Sequence, residues 1–125
     1  MKKNKFLIIF DDILDADNSN HIKYNSKLNH IFTNGRHLGI SIILSIQYMK
    51  AINPLTRTNA DYSFVFNCKN HNIIDYIYKE YSSNKPRDEF IEMLDQNSKE
   101  YNMVVIDNTN KDNQFYRYNI NDKNK

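Results

Sequence analysis

The sequence predicts a mixed α/β domain, and three observations carry that prediction. Two apolar runs, FLIIF at 6–10 and ISIILSI at 40–46, are nearly unbroken, which fits parallel strands buried on both faces better than the alternation of a half-exposed strand. Segments at 27–34, 72–81 and 88–95 instead repeat apolar residues at helical spacing. Polar side chains stand where the apolar runs stop: Asp11 and Asp12 after the first and Gln47 after the second. Ligands bind at such positions in open α/β sheets, beyond the carboxyl ends of the strands.

Taken in order, residues 6–10 form the first strand, and 15–25 are polar and irregular. Leu28, Ile31 and Phe32 mark a helix over 27–34, with Asn34-Gly35 as its stop. The strand at 40–46 closes a βαβ unit. Residues 51–57, with Pro54, read as a connection, and DYSFVFNC at 61–68 as a third strand weighted toward aromatics. Ile73, Ile74, Ile77 and Tyr78 then give a helix over 72–81, and Phe90, Ile91 and Leu94 give another over 88–95, entered through Pro86. A fourth strand at 102–106 pairs with 114–120 across NTNKDN as a β-hairpin, leaving NDKNK as a tail.

Length and composition set the outer limits. A chain of 125 residues, 40% hydrophobic with nine Tyr and seven Phe, is long enough for one core and too apolar for a disordered tail. Seventeen basic against fifteen acidic side chains leave a net charge of +2, so any nucleic-acid contact is local rather than a general basic surface. The single Cys68 excludes an internal disulfide, and no CxxC or Cys/His cluster suggests a structural metal. No apolar run approaches the roughly 18 to 20 residues that span a bilayer, and MKKNKFLIIF meets aspartate too soon for a signal-peptide core. A soluble, intracellular protein is the expectation.

The acid pair is the main chemical signal. Two carboxylates at the end of an apolar strand suit a magnesium–nucleotide site, where one group holds the cation, directly or through water, and the other orients the attacking water. The plainer reading is that a strand meeting a turn ends in Asp for solubility and local hydrogen bonding. Tyr76, Tyr78 and Tyr81 near Lys79, Lys85 and Arg87 have the composition of a base-stacking surface, against the plainer reading of a half-buried core edge. Asp107, after MVVI, reads as the residue that turns the hairpin, and Asn34 and Asn59 as backbone caps.

LIIFDD (7–12), IFTNGRHLGISIILSIQY (31–48), RTNADYSFVF (57–66) and YNMVVIDNT (101–109) together resemble the FtsK–HerA superfamily of ASCE P-loop ATPases. Within it they are most similar to the genome-packaging ATPases of poxviruses and other large DNA viruses, and the likeness runs through almost the whole chain. It implies a partial RecA-like sheet with flanking helices and a C-terminal β-hairpin, with residues 1–125 as the C-terminal part of a single P-loop ATPase domain. The resemblance gives Asp11 the role of holding Mg²⁺ through water and Asp12, also near the metal, that of priming water. Gln47 becomes the sensor of the γ-phosphate, with Ser45 as the alternative candidate for that role and for nucleotide binding. Arg36 is the candidate arginine finger acting across a subunit boundary, and Arg57 is its rival. His37 reads as a surface or packing residue. Where the family more often has Asp-Glu, this chain has Asp-Asp, one methylene shorter at residue 12.

The resemblance also implies ATP as substrate and double-stranded DNA as cargo. Its partners would be a homo-oligomeric ring or a separate P-loop-bearing N-terminal half, together with capsid portal or membrane components, in a cytoplasmic viral factory or the virion. One part is missing. A phosphate cradle needs GxxxxGK[ST], and the only glycines are Gly35 and Gly39, neither followed by Lys-Ser or Lys-Thr. The expectation is a sheet lacking its P-loop strand, an open edge along ISIILSI and marginal stability. Two alternatives stand beside the motor: a catalytically inactive truncated interaction or regulatory module of a packaging ring, and a two-cation phosphodiesterase using Asp11, Asp12 and Asp107.

Overall fold

The computed structural model describes residues 5–12, 23–82, 84–110 and 114–118. The irregular segment expected at 15–25 lies mostly outside these residues, as does the NDKNK tail. The chain divides into two compact units, Met1–Ala60 and Asp61–Lys125.

In the first unit, β1 (Phe6–Phe10) pairs in parallel with β2 (Ile40–Leu44), Phe6 opposite Ile40 and Phe10 opposite Leu44. Helix α1 (Ser26–Asn34) connects them, capped by Asn25, whose side chain accepts from the Leu28 N–H. The helix ends at Asn34, but Gly35 does not supply the left-handed stop expected of it. Gly35 stays right-handed at φ −54° and opens a 3₁₀ turn, Gly35–Leu38, and the left-handed residue is Gly39 at φ 72°. A Cβ at Gly35 would stand 3.4 Å from the Ile40 carbonyl oxygen, close to an ordinary contact, so neither its φ nor the space around it demands glycine. A second 3₁₀ turn (Met49–Ala51) and a short helix α2 (Pro54–Thr58) follow β2. The helix occupies what reads in sequence as a connection. Its signal is Asn53-Pro54: Asn53 accepts from the Leu55 N–H, and Pro54 sits in the first turn, where its fixed φ costs nothing.

Both strands are shorter or less buried than their apolar runs suggest. β2 stops at Leu44 rather than Ile46. β1 is parallel as expected but not buried on both faces, with Phe6, Leu7 and Ile9 57%, 59% and 60% exposed. Leu7, Ile9, Ser41 and Ile43 share the bare face, while Ile8, Phe10, Ile40, Ile42 and Leu44 are half-buried on the other.

In the second unit, β3 (Tyr62–Val65), β4 (Met103–Asp107) and β5 (Gln114–Tyr118) form an antiparallel sheet in the order β3-β4-β5. The hairpin of β4 and β5 is as expected, and β3 covers only the first half of DYSFVFNC. Helices α3 (His71–Tyr81) and α4 (Arg87–Asn97) pack on the face carrying Val104 and Ile106. Phe90 is fully buried and meets Tyr78 and Phe115 edge to face at 5.5 and 5.8 Å. No described helix is long and apolar enough to cross a membrane.

Candidate functional site

The parallel register decides which side chains meet. The Ser45 N–H donates to the Phe10 carbonyl at 2.8 Å, extending the ladder one step past β2 and setting Ser45 beside the carboxyl end of β1. Just beyond β1, Asp12 takes φ 48°, a left-handed conformation that aspartate tolerates better than most L residues. The chain after β2 turns so that Gln47 Nε2 donates to Asp12 Oδ1 at 3.3 Å. Asp11, Asp12, Ser45 and Gln47 are all exposed. Two carboxylates, a hydroxyl and an amide thus sit at one end of the parallel pair.

The donor set suits a hard cation, being all oxygen apart from the amide nitrogen of Gln47. Among the described residues no group of three or more His, Cys, Asp or Glu side chains comes together. The acids would therefore share a cation with water and ligand oxygens rather than enclose it, which fits Mg²⁺ better than Ca²⁺. Asp107, the third acid of the phosphodiesterase alternative, belongs to the other unit and is committed locally. Its carboxylate accepts from the Thr109 N–H at 2.9 Å, the Thr109 hydroxyl at 2.6 Å and Asn110 Nδ2 at 3.5 Å, and so turns the hairpin as its position suggests.

Arg36 stands elsewhere. It is exposed in the 3₁₀ turn that precedes β2, where the Phe6 N–H donates to the Gly39 carbonyl. The five residues of β2 therefore separate it from the acids, about 16 Å at 3.3 Å per residue. His37 beside it is exposed, a surface residue. Arg57 is inside the unit's own framework: Nη1 donates to the Ile52 carbonyl at 2.8 Å and the Met49 carbonyl at 3.2 Å.

A polar network that the sequence did not announce ties α2 to α1. Thr56 Oγ1, 4% exposed, donates to Asn29 Oδ1 at 3.0 Å, and Asn53 Nδ2 and Asn29 Nδ2 both donate to the Lys23 carbonyl. The one visible hint was Asn29 among the apolar positions of α1. Three of the stacking candidates in the second unit are engaged within it. Tyr81 is buried with its hydroxyl accepting from Ser63, Tyr78 donates to the Lys85 carbonyl, and Arg87 is tied to Asp75 at 2.7 Å.

Comparison with known proteins adds to this geometry. The family model described as Poxvirus A32 protein matches residues 1–125. Uncharacterized protein 075L of Invertebrate iridescent virus 6 is 33% identical over 108 residues, covering 86% of this chain and 41% of that protein. Uncharacterized protein 015R of Frog virus 3 (isolate Goorha) is 28% identical over 109 residues, covering 86% and 33%. This chain thus spans a third to two fifths of the length of these relatives. In fold it is similar to the genome packaging NTPase B204 from Sulfolobus turreted icosahedral virus 2, solved in complex with ATP-gammaS. The TM-score is 0.62 at 22% identity, over 89% of this chain and 53% of that one.

Proposed function

This chain belongs to the Poxvirus A32 protein family, and on that premise we propose that it supplies the acid-and-sensor part of an ATP-driven motor that moves double-stranded DNA into a viral capsid. The observation that carries the reading is the contact of Gln47 Nε2 with Asp12 Oδ1 beside Asp11, at the carboxyl end of a parallel strand pair. Asp11 would hold hydrated Mg²⁺, with Asp12 near the metal and Ser45 facing the nucleotide phosphate. When bound, the cation would neutralise phosphate charge and so lessen the repulsion that the γ-phosphate offers an incoming nucleophile. Asp12 accepts a proton from, or orients, the attacking water. Gln47 offers its amide either to Asp12 or to a γ-phosphate oxygen.

Arg36 lies too far from the acids of its own subunit to touch their substrate. An arginine finger at that position serves a neighbouring site in a homo-oligomeric ring, where a guanidinium stabilises the transferring phosphoryl group. The phosphate cradle comes from a P-loop-bearing segment, part of the same polypeptide or a separate chain. Portal or membrane components of the virion, or of a cytoplasmic assembly site, are the further partners.

The test mixes the purified chain with a polypeptide carrying the family's GxxxxGK[ST] segment and measures Mg²⁺-dependent, DNA-stimulated ATP hydrolysis. The chain alone is expected to be inactive and the combination active, with Asp12→Asn lowering kcat about 10²- to 10⁴-fold. An unchanged rate in Asp12→Asn would remove the assignment. A second reading is the catalytically inactive interaction module of a packaging ring. It predicts that the chain joins or slows an already active ring and never raises its rate.

A further inference from the structure

We propose that Arg57 is a positioning residue that holds Gln47 against Asp12 from within its own subunit, and is not a finger for a neighbour; the proposal rests on the motor reading above. The argument starts at the end of β2. Leu44 and Ile46 pack against Ala51 and Ile52, each 5% exposed. The chain between these apolar contacts is an arch, Gln47 and Tyr48, that closes into the 3₁₀ turn Met49–Ala51. Gln47 is exposed on that arch, and nothing in its own backbone fixes where its amide points.

The far foot of the arch is fixed by Arg57. Its guanidinium reaches back from α2 and bridges the Met49 and Ile52 carbonyls, the first residue of the 3₁₀ turn and the residue that caps it. Both bonds come from the one nitrogen Nη1 and are charge-assisted, so they tie the two carbonyls to a single point on α2. α2 is in turn anchored to α1, since Thr56 donates to Asn29. The helix between the strands, the helix after them and the arch thereby become one frame. Arg57 is half-buried in it and spends Nη1 on backbone oxygens of its own chain, a poor arrangement for an arginine that must reach into another subunit. Arg36 is exposed instead, on a surface turn.

The two roles separate in mixed rings of the assembled, P-loop-containing protein. Arg57→Ala is expected to lower kcat about 10²-fold, the cost of a misplaced catalytic group, with a smaller change in KM for Mg·ATP. Arg57→Lys recovers part of the loss. Rings assembled from Arg57→Ala and Asp12→Asn subunits together should show no activity above the sum of the two alone, because each subunit's own site is defective. Arg36→Ala mixed with Asp12→Asn should regain activity, since intact acids then meet an intact finger from the neighbour.

Recovery in the Arg57→Ala mixture would overturn the proposal while leaving the motor reading in place. Full activity in Asp12→Asn rings would instead remove the Asp12 assignment made above, and with it the contact that Arg57 is proposed to hold in place. If Arg57→Ala fails to assemble, Arg57→Lys serves in the same mixtures. A readout independent of activity is the Gln47 side-chain amide signal in nuclear magnetic resonance. It should shift in either Arg57 variant while the backbone amides of Val104 and Ile106 stay put; an unmoved Gln47 signal counts against the proposal.

Discussion

The two units solve burial differently. The Asp61–Lys125 unit closes around Phe90 and Ile106, both fully buried, with Val104, Leu94, Ile77 and Tyr81 packed beside them. Among the described residues of the Met1–Ala60 unit, the buried hydrophobic side chains are Ala51 and Ile52, and Leu7, Ile9 and Ile43 lie more than half exposed on one side of the parallel pair. Parallel sheets are normally covered on both faces. The antiparallel unit has made its own core, while the unit carrying the acids holds its site with polar clamps and leaves one sheet face bare. The candidate site and most of the described buried core thus lie in separate halves of this chain.

The largest effect that tests this contrast is core deletion in the second unit. Phe90→Ala should cost about 3–5 kcal/mol of that unit's stability, the usual loss for a buried aromatic ring, seen as an earlier transition in thermal or urea unfolding. Ile9→Ala and Ile43→Ala, opposite each other in register on the bare face, should each cost less than about 1 kcal/mol, the scale of a cross-strand pair. A loss at Ile43 as large as that at Phe90 would mean that the face is covered in solution, and the contrast between the units would be gone. Native-state hydrogen exchange reads the same comparison without mutation. Val104 and Ile106 amides should be the slowest, and Ile42 to Leu44 amides should exchange measurably faster.

A smaller effect belongs to the turn that starts β2. Gly39→Ala places an L side chain at φ 72° and should cost roughly 1–2 kcal/mol. Gly35→Ala tests crowding instead, because the added methyl meets Ile40 and Ile42 in ordinary or slightly tight contact. Its cost should be smaller, and the reverse order would show that Gly39 can relax out of the left-handed region.

How much of this was legible beforehand follows the same division. Apolar runs gave β1, β2 and β4, aromatic weighting gave β3, hairpin pairing gave β5, and apolar spacing gave α1, α3 and α4, because burial imposes period on sequence. They gave strand ends badly: DYSFVFNC holds eight residues of strand-like composition, yet β3 has four, since a residue joins a strand only where a neighbour offers hydrogen bonds. The pairing of Asp12 with Gln47 was legible because both stand at the carboxyl ends of strands that a βαβ connection makes parallel. Arg57 was not. A long side chain satisfied by carbonyl oxygens leaves no trace in composition or spacing, and Arg36 and Arg57 look alike until their partners are seen. The bare face was misread for a related reason, since an apolar run records the need for cover without saying which residues provide it.

The smallest expected effect lies between α3 and α4, where Arg87 donates to Asp75 through Nε at 3.2 Å and Nη2 at 2.7 Å. The hydrogen bond from Arg87, aided by its charge, holds the Asp75 carboxyl below its ordinary value of 3.8 and raises Arg87, which stays charged throughout. A carboxylate lowered in the folded state stabilises fully above its unfolded pKa, and that contribution is lost as pH falls through the folded value. In the wild type the second unit should therefore lose stability steadily as pH drops below about 4, and Asp75→Asn should flatten that part of the curve while changing little at neutral pH. Both partners are about half exposed, so the bridge is screened by salt and weak at best. Raising ionic strength should shrink the difference between wild type and Asp75→Asn, whereas the Phe90→Ala deficit should persist, because a cavity in a dry core does not respond to counterions. A salt-insensitive Asp75 effect would indicate a packing role for that side chain and would extend the second unit's core onto the surface joining its two helices.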